Sequence, residues 1–553
     1  MPSANRPPRD RQSRPRLDWL LPVIGVVVLL VACVVVARRK HLWHDEVFSW
    51  ILVTDPSATH MLGAIAGGAE AAPPLYHLTA RLWLAIAGQS ELALRLWSSV
   101  GFALSLIVLW RVLRRSYDPT VAAAAAVVPF AISPLLWYQN AEARFYGTFT
   151  LAAALAFAAT DLAARRPSRA RLAGVALAHA ALVMSHIFGF FYGGALLGGL
   201  AVRDGIALAR GRPAIGRWRP YAAAVAGWLP FALWIPAFIT QAEVGVPHSW
   251  IPVPTRRALR QAYGTDGVRT FMLVVLGAGL LAWVARHLHR RSRDEPRHAT
   301  VAGEPDPLPW LAVAVAAVPL GVYVISHVAM SVFVDRYMLP GLFAYGVAIA
   351  AACTELSRAY ARWRGDARHR VRIGARAALV GLALASLLLP LRWAAARQEF
   401  PRPGEALVRA AGPSTPIVTE SPLEYLPVTY YSGKPAAPFF FALDWESALA
   451  PDAALQATVD YKMMRNWRRW GFLADGIVEA DSILCRLPRF VVVDEPGRLW
   501  YDRHIAGDSA FSTRTLYAER DSATGWWRDK RIVLVERRTL PARCAPVRSP
   551  PGQ

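Results

Sequence analysis

Eleven long apolar runs, separated by short bursts of arginine, limit what this chain can fold into more than any other feature. A helix needs roughly 20 mostly apolar residues to cross a bilayer. Runs near that length fall at 19–37, 97–113, 121–137, 147–164, 172–185, 190–208, 221–239, 268–285, 308–327, 338–353 and 373–391. Composition agrees: 54% of the 553 residues are apolar and 18% charged, against about 25% charged in a soluble globular protein. A multidomain soluble enzyme, a disordered chain and a fibrous chain are excluded. The net charge of +23, from 62 Lys and Arg against 39 Asp and Glu, would suit nucleic acid only if it clustered on a folded soluble face. It does not cluster in that way, so no nucleic-acid partner is expected.

Positive charge concentrates in the cytoplasmic loops of multispanning proteins. The arm 1–18 carries Arg6, Arg9, Arg11, Arg14 and Arg16, and the run after it is too long for a cleaved signal core. If this arm is cytoplasmic, alternation of the eleven runs puts the clusters at 111–115, 165–171, 210–219, 286–293 and 358–372 inside as well. Arg38, Arg39 and Lys40, and a small set at 256–269, are the exceptions. Counting 75–88 as a crossing would invert every later loop, so this stretch reads as an interfacial helix. The predicted architecture is a polytopic α-helical membrane protein of about 11 transmembrane helices, 19–391, with an outer loop at 38–96. A soluble α/β domain at 392–553 follows on the outer face of the cytoplasmic membrane. Its predicted strands are 416–420, 428–431, 489–494, 511–518 and 531–536, with a helix-like stretch at 445–458. Four cysteines exclude a disulfide scaffold. Cys485 and Cys544 fall in the outer domain, where an oxidising compartment allows them to pair.

The most suggestive polar motif is HLWHDEVFS, 41–49, directly after the first run. Two adjacent carboxylates at a membrane surface are costly to desolvate unless they hold a cation or accept a proton; a solvated loop pair is the alternative. Glu142, in YQNAEARFY at 138–146, reaches the same side by alternation. Acids from two such connections either flank a hard divalent cation, with Asp45 and Glu142 as its ligands and Mg or Mn as the metal, or divide the roles of base and ligand. Arg144 is an ion-pair partner of Glu142 or a phosphate contact. Arg336, in VDRYMLP at 334–340, suits bidentate phosphate binding or snorkels at a helix end. His186 is a packing residue or a substrate contact. PPLY at 73–76 ends the first outer loop and reads as a helix start.

The ordered set of acid pair, PPLY, GQSELALRLWS (88–98), YQNAEARFYG, a His before an aromatic-rich span and DRYMLP resembles the GT-C-fold membrane glycosyltransferases. The resemblance is to the dolichyl-phosphate-mannose-protein mannosyltransferase-like group of bacterial enzymes and to the aminoarabinose transferase of lipid A, and it covers about 19–391. It implies a polyprenyl-phosphate sugar donor and transfer of a hexosyl or pentosyl unit outside the cytoplasmic membrane; with Asp45 as base and the phosphate leaving from the opposite face of the sugar, the expected reaction is inverting. By this likeness Asp45, Glu46 and Glu142 are the candidate catalytic acids. Arg144, Tyr146, His186, Arg336, Tyr337 and Tyr76 are the candidate substrate-binding residues. The acceptor, whether glycan, lipid or protein, is left open. No Gly-rich turn for a nucleotide sugar is present. A transporter or flippase is the competing class. It would usually place charges near the bilayer midplane in repeated halves, whereas here they gather at one face. The topology predicts that reporters fused after Arg115, Arg171 and Arg293 register the cytoplasm and that a reporter at the C-terminus registers the outside; an outside signal at any of the first three breaks the scheme.

Overall fold

Every one of the eleven apolar runs is helical in the computed structural model, which describes residues 19–211, 217–248, 250–291, 306–363, 368–399, 402–432, 438–518 and 530–544. The Arg-rich arm 1–18, Arg212, Arg293 and Arg364 lie outside the described residues. Among the described residues, seven helices are individually long and apolar enough to cross a membrane. Two further runs pass the same test only as bent pairs: Pro119–Ile132 with Pro134–Asn140, turned by 77°, and Trp218–Ala232 with Ile235–Glu243, turned by 63°. A proline sits at the start of the second member of each pair, where its fixed φ and missing N–H favour a new helix over continuation of the old one. Arg169–Ser185 and Gly189–Ala209, which complete the eleven, fall short of that test. Leu75–Ala87 has 13 residues and is about 20 Å long at the usual rise. That is too short to span, in keeping with an interfacial helix.

The helices nearest the acid pair approach each other unusually closely. A side chain added at Gly147 would meet the Ser98 carbonyl oxygen at 1.9 Å, and one added at Gly101 would meet the backbone of Gly147 at 2.4 Å. Helices Glu91–Leu113 and Tyr146–Arg165 therefore cross backbone against backbone, which only small residues permit.

The basic triplet that the alternation leaves over is used locally. Arg39 donates to the carbonyls of Ala394, Ala395 and Arg397, closing the end of helix Leu388–Ala395, where orphan carbonyls need donors. Lys40 is consumed by the acids described below.

The C-terminal part contains a six-stranded sheet in the order β3-β2-β1-β4-β6-β5. Its strands are β1 (Ile417–Thr419), β2 (Phe439–Leu443), β3 (Ile477–Glu479), β4 (Arg489–Asp494), β5 (Phe511–Ala518) and β6 (Arg531–Arg537). The first four are parallel; β6 runs antiparallel to β4, and β5 to β6. Side chains alternate across a strand, and both faces are apolar. Val418, Phe490, Val492, Val533 and Val535 make a core of their own with Trp500, while Ile417, Val491, Val493, Ile532 and Leu534 join the core that runs on into the membrane helices.

Three expected strands, 489–494, 511–518 and 531–536, are present nearly residue for residue, and 416–420 contains β1. The expected strand 428–431 is instead part of helix Pro422–Ser432. Its β-branched and aromatic residues are recruited by packing against helix His44–Val53, which overrides their local preference. The expected helix 445–458 is two elements, Trp445–Ala448 and Ala457–Arg469, and strands β2 and β3 were not anticipated. Cys485 and Cys544 are joined in a disulfide. It fastens the short helix Ala542–Cys544 to helix Ala480–Arg486.

The close crossing predicts that Gly147→Ala pushes the two helices apart. This overpacking should cost about 1–3 kcal/mol, read as a lower melting temperature of the detergent-purified protein, whereas Gly174→Ala, which has open space at its Cβ position, should leave it unchanged or raised.

Candidate active site

Helix His44–Val53 starts three residues after the basic triplet. Trp43 sits at its N-cap, with its backbone N–H donating to Glu46 at 3.3 Å. Acids in the first turn favour such a start, because they face the positive end of the helix dipole. The two acids then part ways.

Glu46 is fully buried. Arg95 grips it with both arms, Nε to Oε1 at 2.8 Å and Nη2 to Oε2 at 2.9 Å. The backbone N–H of Ala143 donates to Oε1 at 2.8 Å, and Lys40 stands 3.4 Å from Oε2. Arg95 spends its other donors on the carbonyls of Ala37, Lys40 and His41. One carboxylate thus ties together the end of the first span, the acid motif, helix Glu91–Leu113 and the 142–144 turn. Burial works against its charge, but Arg95 and Lys40 outweigh burial and hold the carboxyl well below its ordinary range. Glu142, on that turn, is paired with Lys40 and accepts from the Trp43 indole. Burial pushes it up, and the neighbouring Glu46 charge pushes the same way against Lys40.

Asp45 points elsewhere. Its Oδ1 lies 3.1 Å from His44 Nε2, and its Oδ2 lies 4.0 Å from Arg144 Nε. Burial would raise its pKa, but His44, Arg144 and Arg336 outweigh burial and lower it. His44 itself is brought down to about 4, chiefly by burial, so near neutral pH Asp45 is ionised beside a neutral imidazole.

Arg144 is aimed by Glu70, whose carboxylate it meets at 2.8 and 3.5 Å, and by Ser49 Oγ and the Asp45 carbonyl. Glu70 ends a tight turn, Ile65–Ala69, in which Gly68 has φ +82°, a left-handed backbone that glycine adopts without penalty. Three distant side chains hold that turn. Gln241 donates to the carbonyls of Ile65 and Ala72, Asn466 to Gly68 and the Trp467 indole to Ala69. Trp470 lies against the open faces of Gly63 and Gly67. The imidazole nitrogens of His77, 4.0 Å from Glu70 at the nearest, make no hydrogen bond.

The short helix Asp335–Gly341 supplies a further charge that Asp45 feels, Arg336. The Arg336 guanidinium lies over the rings of Trp250, Tyr146 and Tyr337 at 5.6–5.9 Å. It makes no ion pair among the described residues, and its Nε is buried without a partner. His186 belongs to the same aromatic group, stacked 4.6 Å from Phe145 and tilted against Tyr337 at 4.3 Å. Burial, helped by Arg144 and Arg336, lowers it to about 3, so it is a neutral, aromatic wall. The Tyr76 hydroxyl donates to the Ala143 carbonyl at 2.8 Å and positions the 142–144 turn.

The structure therefore brings Asp45, Arg144, Tyr146, His186, Arg336 and Tyr337 into one neighbourhood, with Glu46, Glu142 and Tyr76 holding the chain around the 142–144 turn. Glu70, Arg95 and Trp250 were not anticipated. Arg95 carries a sequence signal, a charge inside an otherwise apolar helix, whereas Glu70 sits in an Ala/Gly-rich stretch that gives none. Of the two acids expected to hold a divalent cation, Glu142 is paired with Lys40 and accepts from Trp43, and Asp45 lies 3.1 Å from His44. Among the described residues no group of three or more His, Cys, Asp or Glu side chains stands around a common point.

On the other side of Asp335–Gly341 lies a cavity of about 720 Å³. Ile132, Leu135, Val268 and Leu342 give it apolar walls, and Arg257 and Arg260 line it as well. Neither arginine makes an ion pair among the described residues.

Residues 71–234 match the family model described as dolichyl-phosphate-mannose-protein mannosyltransferase. No curated protein sequence matches the chain at a significant level. Among solved structures, ArnT from Cupriavidus metallidurans in the apo state is similar at TM-score 0.57 and 13% identity, over 94% of this chain and 97% of that one. The same protein bound to undecaprenyl phosphate is similar at TM-score 0.52 and 14% identity, over 95% and 99%. The fold is that of the GT-C membrane glycosyltransferases.

The Glu46–Arg95 pair yields a stability prediction. Arg95→Met leaves a buried carboxylate without its main partner and should cost about 3 kcal/mol or more, seen as a large fall in melting temperature. Asp335→Asn, at an exposed position, should change stability by less than about 0.5 kcal/mol.

Proposed function

We propose that this chain is a membrane glycosyltransferase that moves a sugar from a polyprenyl-phosphate donor to an acceptor hydroxyl on the outer face of the cytoplasmic membrane. What supports the reading most is an ionised acid, Asp45, that feels the charge of Arg336, a cation held in an aromatic cage with no ion pair among the described residues. A desolvated arginine held by rings and left with an open donor edge suits a phosphate. The cavity beside it, apolar along its walls with Arg257 and Arg260 lining it, suits the isoprenoid chain. The undecaprenyl phosphate named in the ArnT complex supports the same donor class, as does the family match over 71–234.

The chemistry follows from charge placement. The acceptor oxygen attacks C1 of the sugar as its proton passes to Asp45, and the C1–O bond to phosphate breaks with its electron pair leaving on polyprenyl phosphate. Attack from the face opposite the leaving group inverts C1. A positioned general base contributes about 10²- to 10⁴-fold, and Arg336 and Arg144 stabilise the charge that grows on the departing phosphate. His186, neutral, walls the sugar site with Tyr146 and Tyr337. Glu46 and Glu142 act through the turns they hold. No step is routed through a metal.

Asp45→Asn should remove at least about 99% of sugar transfer while polyprenyl phosphate still binds, whereas Arg336→Gln should weaken that binding. Both are measured with a radiolabelled polyprenyl-phosphate sugar in membranes that supply the acceptor. Near-normal transfer by Asp45→Asn would remove the base assignment, and persistence in Asp45→Asn, Glu46→Gln and Glu142→Gln alike would favour a transporter.

A further inference from the structure

The turn that presents Glu70 to Arg144 has little of its own to hold its shape. Residues 63–69 read GAIAGGA, and the three glycines leave this backbone with much freedom to lose on folding. The carbonyls of Gly68 and Ala69 stand where the helical turn ends and its own donors run out, because Glu70 departs at once in extended backbone, φ −145° and ψ 149°. The missing donors come from the end of helix Ala457–Arg469 in the sheet-bearing part. Asn466 Nδ2 donates to the Gly68 carbonyl at 3.2 Å and Trp467 Nε1 to the Ala69 carbonyl at 2.8 Å. Consecutive residues thus serve consecutive carbonyls. The Trp467 ring is fully buried, at 4.4 Å from Phe48 of the acid-motif helix and 5.2 Å from Phe472. Trp470, three residues on and so on the same side of its helix, covers the glycines: a Cβ at Gly67 would meet its indole nitrogen at 2.5 Å, and one at Gly63 its ring at 2.9 Å.

One residue beyond these carbonyls, Glu70 Oε2 accepts from Arg144 Nη1 at 2.8 Å, and the same nitrogen reaches Ser49 Oγ at 3.0 Å and the Asp45 carbonyl at 3.1 Å. A shift of the turn therefore carries the Glu70 carboxylate, and with it the guanidinium. A misplacement of about 1 Å at a reacting centre costs on the order of 10²-fold in rate. We propose that Asn466 and Trp467 are positioning residues of the transfer reaction, which fix the Gly68 and Ala69 carbonyls from the sheet-bearing part so that Glu70 holds Arg144 toward the donor phosphate. The inference rests on the reading of Arg144 as a phosphate contact. Neither side chain acts on the donor itself; each acts through Glu70 and Arg144.

The test separates positioning from folding. Trp467→Phe keeps a ring against Phe48 and removes the indole N–H, and Asn466→Ala removes the amide donor. Sugar transfer by the full chain is measured with a radiolabelled polyprenyl-phosphate sugar in membranes that supply the acceptor, and binding of polyprenyl phosphate alone checks the fold. Arg144 counts most for the charge that grows as the phosphate departs, so each variant should lower kcat about tenfold with little change in the donor KM. Glu70→Gln should show a larger loss of the same kind. Adding Trp467→Phe to Glu70→Gln should then lower kcat no further, because the link it acts through is already cut. Losses that multiply in the double variant, a kcat near wild type in both single variants, or a raised KM with kcat intact overturn the proposal. If Trp467→Phe loses polyprenyl-phosphate binding, Asn466→Ala decides by the same comparison in the Glu70→Gln background. A wild-type chain that transfers no sugar defeats the transferase reading and this inference with it, whereas an active wild type with multiplying losses defeats the inference alone.

Discussion

The buried grip of Arg95 on Glu46 is the interaction on which the rest of the site depends. A carboxylate without a cation in this interior would be strongly disfavoured, and so would the guanidinium without the carboxylate. Each therefore fixes the other, and the remaining donors of Arg95 fix the chain around 37–41. Because Ala143 also donates to Glu46, the turn that bears Arg144 is set by the same point. Asp45 is adjacent in sequence, yet its carboxylate lies against His44 and near Arg144 instead. Adjacent acids in one motif differ in their partners because Arg95 meets Glu46 at 2.8–2.9 Å through two donors, whereas Arg144 approaches Asp45 only to 4.0 Å.

A second constraint comes from the C-terminal part. The turn that presents Glu70 is held by Asn466 and Trp467 from that part and by Gln241 from a membrane helix, and the acid motif is tied to Tyr431, whose hydroxyl accepts from the Leu42 N–H and donates to Glu91. Seating of the sheet-bearing part and shaping of the site are one event in physical terms. One face of the sheet is continuous with the core of the membrane helices, so the two parts are not hinged by a bare linker.

Much of the fold was legible in the sequence because bilayer crossing imposes a length and a polarity that few other structures share. The eleven runs and strands β4, β5 and β6 fall where periodicity puts them. What was hidden depended on packing at a distance. Residues 428–431 read as a strand from their side chains and became helix against His44–Val53. Glu70 has an unremarkable neighbourhood and gains its role only when the turn at Gly68 carries it to Arg144. For the candidate site, motif reading named residues that the fold brings together but not their partners, since nothing in the letters of 45 and 46 says which carboxylate meets Arg95.

The central claim is that Asp45 and Arg336 face each other across the reacting bond. The most direct measurement is the structure of the full chain with a non-hydrolysable polyprenyl-phosphate sugar bound. The account predicts the phosphate within hydrogen-bond distance of the Arg336 guanidinium, the isoprenoid chain in the cavity lined by Arg257 and Arg260, and Asp45 on the opposite side of C1. A phosphate seated away from Arg336, or Asp45 on the same side of C1 as the phosphate, would contradict it.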